Sequence, residues 1–184
     1  MIRRHLAPAL IVLALAVGCS SGGSDSSAST STTTSSPSTT AASSTSTKVP
    51  GHCASAQLQA SLGPADAGAG QLYTPLVLVN IGGTPCTLRG FPGVSLLDQT
   101  ETEIGQPASR EGAEGGTVTL AANGSASAVL QTANGANGSA TCTPASTFIR
   151  VYPPDNTQAI VIRAQYTACG GFSVGTLVPG ATGR

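Results

Sequence analysis

Side chains that could act as a nucleophile or a base are scarce in this chain of 184 residues. Hydrolysis by a serine triad requires a histidine or an equivalent base beside the nucleophile. After His5 the chain has one histidine, His52, which stands next to Cys53. No lysine follows Lys48, so a serine–lysine pair is also absent from the later sequence. These residues predict a protein that is not an enzyme, with a structural role for His52.

Three carboxylates, Asp98, Glu101 and Glu103, cluster in a segment with the composition of a turn. Two of them could form the acid pair of a glycosidase, and carboxylate oxygens also bind calcium. The EF-hand spacing is missing, so we expect a polar hairpin tip here, with no metal or cofactor. Glu111 and Glu114 lie in glycine-rich sequence, which predicts a mobile loop. Phosphate-binding glycine patterns require a following helix, and the sequence predicts none.

Four cysteines are widely spaced in the later sequence: Cys53, Cys86, Cys142 and Cys169. Zinc sites usually contain close cysteine pairs, whereas an even number in an exported domain predicts two disulfides with three alternative pairings. Predicted strands over 148–152 and 160–166 flank a turn near Asn156. An antiparallel hairpin about that turn places Cys142 opposite Cys169, and we pair these two. Cys53 then pairs with Cys86.

The first eighteen residues have the pattern of a bacterial secretion signal. Arg3 and Arg4 are followed by an apolar run over 6–17. As a helix this run spans about 18 Å, whereas the hydrocarbon core of a bilayer is about 30 Å thick. The small residues directly before Cys19 resemble the bacterial lipobox. That resemblance implies cleavage after Gly18, acylation of Cys19 and anchoring at the outer face of the cell membrane; an ordinary signal peptide that leaves a free thiol is the alternative.

Residues 19–48 are predicted to form a disordered tether. Of the 28 residues from 20 to 47, 21 are Ser or Thr and the others are Gly, Ala, Asp or Pro. Such a segment buries no apolar surface that would offset the entropy lost on ordering. As a flexible coil it reaches about 30 Å, and Ser/Thr/Pro-rich stalks are frequent O-glycosylation targets. The tether would carry a folded domain over 49–184.

Short apolar segments, several alternating at period two, predict strands throughout the domain. They lie at 58–62, 72–79, 86–88, 94–97, 118–120, 126–130, 148–152, 160–166 and 172–178. No window has a sustained helical period. Seven to nine short strands separated by turn residues predict an all-β domain, an immunoglobulin-like antiparallel β-sandwich with two disulfides.

Asparagine and glycine mark the predicted turns. The segment 80–83 predicts a hairpin in which Gly82 and Gly83 adopt positive φ. Asn-Gly pairs at 123–124, 134–135 and 137–138 mark other turns, and Pro92 marks a corner. The six Tyr and Phe side chains lie mostly on strands, so we expect them in the core rather than on a sugar-binding platform.

The segment 76–98 combines an Asn-x-Gly turn at Asn80 with Pro-Cys-x-Leu-x-Gly-Phe-Pro over 85–92. This combination resembles the core motif of the DUF4232 family. The resemblance continues through Cys53, Cys142, the Val-Tyr-Pro-Pro corner over 151–154 and Cys169. It implies an exported or lipid-anchored actinobacterial envelope domain, similar to small mycobacterial lipoproteins, with a sandwich-like fold. It implies no assigned activity and no catalytic residues.

Charge and composition narrow the classes of partner. Charged residues make up 9% of the chain, and removal of the signal leaves six basic and eight acidic side chains. Nucleic-acid binding requires a basic surface, so this class is excluded. We expect a membrane contact through lipid on Cys19 and an envelope protein or wall component as partner. A carrier of a lipid or small apolar ligand is the alternative and requires a cavity of several hundred cubic ångströms. A hydrolase using Asp98, Glu101 or Glu103 ranks third.

Overall fold

The computed structural model of the chain describes residues 50–135 and 140–184. The predicted signal over 1–18, Cys19, the tether through residue 48 and the turn at 137–138 lie outside the described residues. Within these ranges there is no helix long and apolar enough to cross a bilayer.

The described residues form fourteen strands and one 3-10 turn, Ser55–Gln57. The strands are β1 (Gly51–His52), β2 (Leu58–Leu62), β3 (Asp66–Gly68), β4 (Gln71–Asn80), β5 (Cys86–Leu88), β6 (Gly93–Leu97), β7 (Glu103–Ile104), β8 (Ser109–Arg110), β9 (Val118–Leu120), β10 (Ser125–Ala133), β11 (Phe148–Tyr152), β12 (Ile160–Arg163), β13 (Phe172–Val174) and β14 (Val178–Pro179).

These strands form three sheets. The largest has the order β2-β4-β10-β13-β8, with β3 beside β4 and β14 beside β10. The second has the order β12-β11-β6-β7, and the third has the order β1-β5-β9. The predicted all-β sandwich is therefore confirmed. The small third sheet and the parallel pairs β1–β5 and β8–β13 differ from a purely antiparallel arrangement. Both parallel pairs contain a strand of two residues, too short for a periodic signal.

Aliphatic side chains from all three sheets form one hydrophobic core. Leu78 of β4, Leu96 of β6, Leu120 of β9 and Ile149 of β11 are almost completely buried. Burial of one such side chain stabilises a fold by about 1.5–3 kcal/mol. The residues alternate between buried and exposed along β9, as expected for a strand with one face on the core.

The aromatic side chains are mostly not in the core, which contradicts the sequence-based expectation. Tyr166 is the only one of the six in the core cluster, and Tyr152 is 39% exposed. Arginine guanidinium carbons lie 5.8–5.9 Å from the ring centroids of Phe91, Phe148 and Tyr73. These three rings are partly buried under arginine side chains, and Phe172 is partly buried against the core cluster.

Pro75 lies inside β4 and interrupts no ladder hydrogen bond. Strand β2 ends opposite Leu76, and β3 begins opposite Tyr73. Pro75 falls in the gap between these two neighbours, where its missing N–H has no partner to lose. Its carbonyl oxygen accepts a hydrogen bond from the Gly63 N–H at 2.7 Å. The break between β2 and β3 therefore allows a proline within a long strand.

The prediction of a hairpin at 80–83 is wrong, because β4 and β5 belong to different sheets. Neither Gly82 nor Gly83 has positive φ. The fully buried side chain of Asn80 forms the corner instead: its nitrogen donates to the carbonyl oxygens of Thr84 at 2.9 Å and Leu120 at 3.1 Å. Its oxygen accepts the Gly82 N–H at 2.9 Å. A Cβ on Gly82 would lie 3.0 Å from that oxygen, so close approach requires glycine here.

Both predicted disulfides are confirmed. Strands β11 and β12 form the predicted antiparallel hairpin, and the same alignment continues to a bridge between Cys142 and Cys169, which are bonded. Cys53 is bonded to Cys86 and joins the start of the domain to β5. The bonds close loops with sequence separations of 27 and 33 residues. In the chain-entropy account, each stabilises the fold by about 3–4 kcal/mol.

Candidate functional site

Asp98 stabilises the turn in which it lies. Its Oδ1 accepts hydrogen bonds from the Thr100 hydroxyl at 2.7 Å, the Thr100 N–H at 2.7 Å and the Thr102 N–H at 3.0 Å. The Thr100 hydroxyl and then the Thr102 N–H hold the pKa of Asp98 below its ordinary value of 3.8. A general acid near neutral pH requires a raised pKa. The contacts of Asp98 are those of a turn residue, as the hairpin-tip prediction expects.

The other two carboxylates of this segment have different surroundings from Asp98. Glu101 lies in the turn with φ of 60°. Glu103 lies on β7, where its carboxylate is 3.8 Å from the Arg150 guanidinium. Among the described residues, no three or more His, Cys, Asp and Glu side chains are placed to bind one metal ion.

Both glutamates of the glycine-rich loop that was predicted to be mobile contact side chains that are distant in the sequence. The Glu111 carboxylate accepts a hydrogen bond from the Ser173 hydroxyl at 2.5 Å, and its N–H donates to Val174 at 3.0 Å. The Glu114 carboxylate is 3.0 Å from the Arg89 guanidinium. The loop is thus held against β13 and against the end of β5. The sequence missed this because both partners are distant in the chain.

His52 lies at the corner that follows β11. Its Nε2 is 2.8 Å from the Pro154 carbonyl oxygen and 3.0 Å from Asn156 Nδ2. Asn156 also donates to the Cys53 carbonyl oxygen at 3.0 Å and accepts the Ser55 N–H at 3.1 Å. These bonds fasten the start of the domain to the Pro154 corner. They give His52 contacts of a structural kind.

The same corner borders a hollow of about 340 Å³ that the sequence did not predict. Its lining is largely polar and comes from four separate segments. We call it the charged cleft, and its side chains are Arg89, Phe91, Arg110, Glu114, Pro154 and Asp155.

The backbone after β5 positions one side of the charged cleft. Gly90 has φ of 91°, a conformation that favours glycine, and its carbonyl oxygen accepts the Leu177 N–H at 2.9 Å. Arg89 directly before it forms the ion pair with Glu114, whose side chain is 54% exposed. Arg110 on β8 places its guanidinium carbon 5.9 Å from the centre of the Phe91 ring.

The charged cleft contains two guanidinium groups and two carboxylates. An exposed ion pair such as Arg89–Glu114 contributes about 0–1 kcal/mol, so a ligand can compete for either partner at little cost. Guanidinium groups bind carboxylate, phosphate and hydroxyl oxygens, and carboxylates accept hydrogen bonds from a ligand. The lining residues include no Ser, Cys, His or Lys. The arrangement is suited to binding a polar ligand.

The charged cleft was not predicted from the sequence, although several of its residues lie in segments with a recognised pattern. Arg89 lies between the predicted strand 86–88 and the predicted corner at Pro92, and Pro154 lies inside the 151–154 corner. Arg110 lies in a segment without a recognisable motif, whereas Asp155 lies in the turn that the sequence predicts near Asn156. The one usable signal was a charged residue close to each of these two predicted corners: Asp155 directly follows 151–154, and Arg89 lies three positions before Pro92.

A second hollow, of about 550 Å³, lies between strands β2 and β4 on one side and the segments before β11 and after β12 on the other, and it opens to solvent. We call it the apolar hollow, and its lining includes Leu62, Leu72, Thr74, Ala145, Ala164 and Tyr166. Its volume is within the range of ligand sites, but it is open, whereas the carrier hypothesis predicted an internal cavity.

The Tyr166 hydroxyl at the apolar hollow is buried without a hydrogen-bond partner. It is the only side-chain polar atom of this kind among residues 50–135 and 140–184. Burial raises the pKa of Tyr166 to about 12. The Thr74 side chain lies near enough to the phenol to oppose that shift, although no partner stands at full hydrogen-bond geometry.

Comparison with known proteins identifies one family. A family model described as a domain of unknown function (DUF4232) matches residues 53–181, a range that contains both disulfides and every strand except β1. No curated protein and no solved structure matches the chain.

Proposed function

The chain belongs to the DUF4232 family, whose description assigns no activity, and we propose that it is a lipid-anchored exported protein whose β-sandwich binds an envelope component without catalysing a reaction. The observation that carries the binding role is the charged cleft, where groups of both charge signs surround a polar hollow of about 340 Å³. A ligand or partner with donors and acceptors matches this lining.

The proposed anchor rests on the sequence before the domain. An apolar run over 6–17 and small residues directly before Cys19 are typical of a lipoprotein signal. Two or three acyl chains on one residue bury enough methylene groups for durable anchoring. The Ser/Thr-rich tether then lets the domain reach partners away from the lipid surface, such as an envelope protein or a wall component. The actinobacterial origin belongs to this proposal.

A quantitative pull-down from envelope extract tests the binding role. The bait is domain 49–184, as wild type and as Arg110→Ala. Arg110 has no carboxylate within ion-pair distance among the described residues, so its guanidinium is available to a ligand. We expect Arg110→Ala to weaken retention of the captured component about tenfold, the loss expected for one hydrogen bond to a charged group.

Arg163→Ala is the matched control. The Arg163 guanidinium carbon also lies over a ring, 5.8 Å from the centre of Phe148, but outside the charged cleft. We expect this variant to retain the component as wild type does. Equal retention by both variants would show that the charged cleft is not the binding site. If no component is retained in a saturable way, the proposed binding role is wrong.

A further inference from the structure

Tyr166 is held rigidly at the apolar hollow. Its N–H donates to the Ser146 hydroxyl at 3.0 Å, and its carbonyl oxygen accepts the Ser146 N–H at 2.9 Å. Its ring lies against Phe172, with the centroids 5.4 Å apart. The residue is 6% exposed. Because backbone and ring are both fixed, the phenol cannot turn toward a distant partner.

A buried hydroxyl without a partner costs free energy, and such a group in a native structure requires an explanation. Elsewhere in the described residues, buried polar side chains such as Asn80, Ser127 and Thr132 have partners. Among the buried side-chain polar atoms of the described residues, the Tyr166 hydroxyl is therefore the exception without a hydrogen-bond partner. Its neighbour Thr74 lines the same hollow. A hydroxyl at such a place points to a group that is bound there when the hollow is occupied.

The other lining residues indicate the chemical character of the molecule that carries this group. Leu62 and Leu72 supply apolar surface on one side, and the small side chains of Ala145 and Ala164 leave space on the other. Gln165 and Thr167 add neutral polar groups, and no charged residue lines the hollow. An ionic ligand would lose hydration here without a charged partner, so the lining favours a neutral one.

We propose that the apolar hollow binds a neutral, mainly apolar small molecule that carries one hydrogen-bond acceptor, such as a ketone or ester carbonyl, which receives the Tyr166 hydroxyl proton in a hydrogen bond. The phenol oxygen exposes less than 1 Å². Tyr166 itself is fixed, so binding requires that a neighbouring side chain such as Thr74, which lines the hollow beside the phenol, rotates and exposes the phenol oxygen, a change that complex formation commonly produces. At neutral pH the phenol remains protonated, since burial holds its pKa near 12. The site shares no lining residue with the charged cleft, so the two proposals stand separately.

The test uses the full chain with Cys19→Ser, so that the protein is handled without detergent. 2-Octanone is titrated as the probe and followed by amide chemical shifts in NMR. Oct-1-ene is the matched probe, which keeps the chain and lacks the carbonyl. We expect saturable binding with shifts at Leu62, Leu72 and Ala164, and an affinity about fivefold higher for the ketone, as for one neutral hydrogen bond.

Two variants decide the outcome. Tyr166→Phe removes the hydroxyl alone; we expect it to abolish the preference for the ketone while the midpoint of urea unfolding without probe stays equal or rises. Ala145→Trp fills the rim of the hollow, and we expect it to abolish binding of both probes. The proposal is overturned if neither probe saturates, if Tyr166→Phe keeps the ketone preference, or if Ala145→Trp binds as wild type does. A lower unfolding midpoint for Tyr166→Phe with unchanged probe affinities would also overturn it, because that result indicates a buried water on the phenol.

Discussion

Polar side chains in this domain mainly hold the backbone in place. Asp98 accepts three hydrogen bonds from two threonines of its own turn, and Asn156 links the start of the domain to the corner after β11. Both residue types are preferred in turns because their side chains bond nearby backbone groups. The turns were predictable from the residue types. The distant partners of Asn156 were not, because they lie about one hundred positions earlier in the chain.

The lowered pKa of Asp98 predicts a pH-dependent contribution to stability. The Thr100 and Thr102 bonds favour the ionised carboxylate, so its folded-state pKa lies below its unfolded-state value. The contribution is then present above the unfolded-state pKa, about 3.9, and is lost as the pH falls through the lower folded-state value. We expect Asp98→Asn to lower the urea midpoint at neutral pH and to match wild type at about pH 2. Urea unfolding between these pH values measures the difference.

Glu101→Gln is the control for that series. It removes a carboxylate from the same turn. The three hydrogen bonds from Thr100 and Thr102 go to Asp98 and not to Glu101. We expect its urea midpoint to follow wild type at each pH. A difference between Asp98→Asn and wild type that stays constant with pH would contradict the assigned role of the ionised carboxylate.

At the scale of elements, the corner between β4 and β5 is the point where the chain leaves the largest sheet for the smallest. The Asn80 side chain donates hydrogen bonds to the carbonyl oxygen of Thr84, within this corner, and to that of Leu120, at the end of β9. One side chain thus joins two connections that are about forty positions apart. The sequence indicated a turn at this point, but the hairpin assignment assumed that consecutive strands pair.

Replacement of Asn80 tests whether this corner stabilises the fold. In Asn80→Ala the carbonyl oxygen of Leu120 and the N–H of Gly82 lose their side-chain partner in a buried site. An unsatisfied buried group costs about 1–3 kcal/mol, so we expect the free energy of unfolding to fall by about 3 kcal/mol. Gln59→Ala, which removes an exposed amide from β2, should change it by less than about 0.5 kcal/mol. Equal effects of the two variants in urea unfolding would refute the role of Asn80.

At the scale of the whole molecule, the domain has an aliphatic core, two disulfides and few charges. Disulfides persist in the oxidising compartments outside the cytoplasm, so they suit the exported location that we propose. The four cysteines join the start of the domain to β5 and the segment before β11 to the segment after β12.

The proposed anchor predicts where the protein is found in its host. We expect the wild-type chain to fractionate with the membrane and to incorporate an alkyne-labelled fatty acid. Cys19→Ser should abolish the label and release the protein into the culture fluid, because the acyl chains are then absent. Ser20→Ala, next to the modified residue, is the control and should behave as wild type. Labelling that persists in Cys19→Ser would contradict acylation at this residue.

Much of the architecture was determined by the sequence alone, since it depends on local pattern. Period-two alternation predicted the central parts of the main strands, and the spacing of Cys142 and Cys169 about one turn predicted their disulfide, because an antiparallel hairpin fixes which residues face each other. Only the tertiary structure decided which non-consecutive segments meet. The charged cleft, the neighbours of Pro75 and the unpartnered hydroxyl of Tyr166 all depend on the assignment of strands to sheets. That assignment follows from packing of the whole core, which local periodicity does not specify.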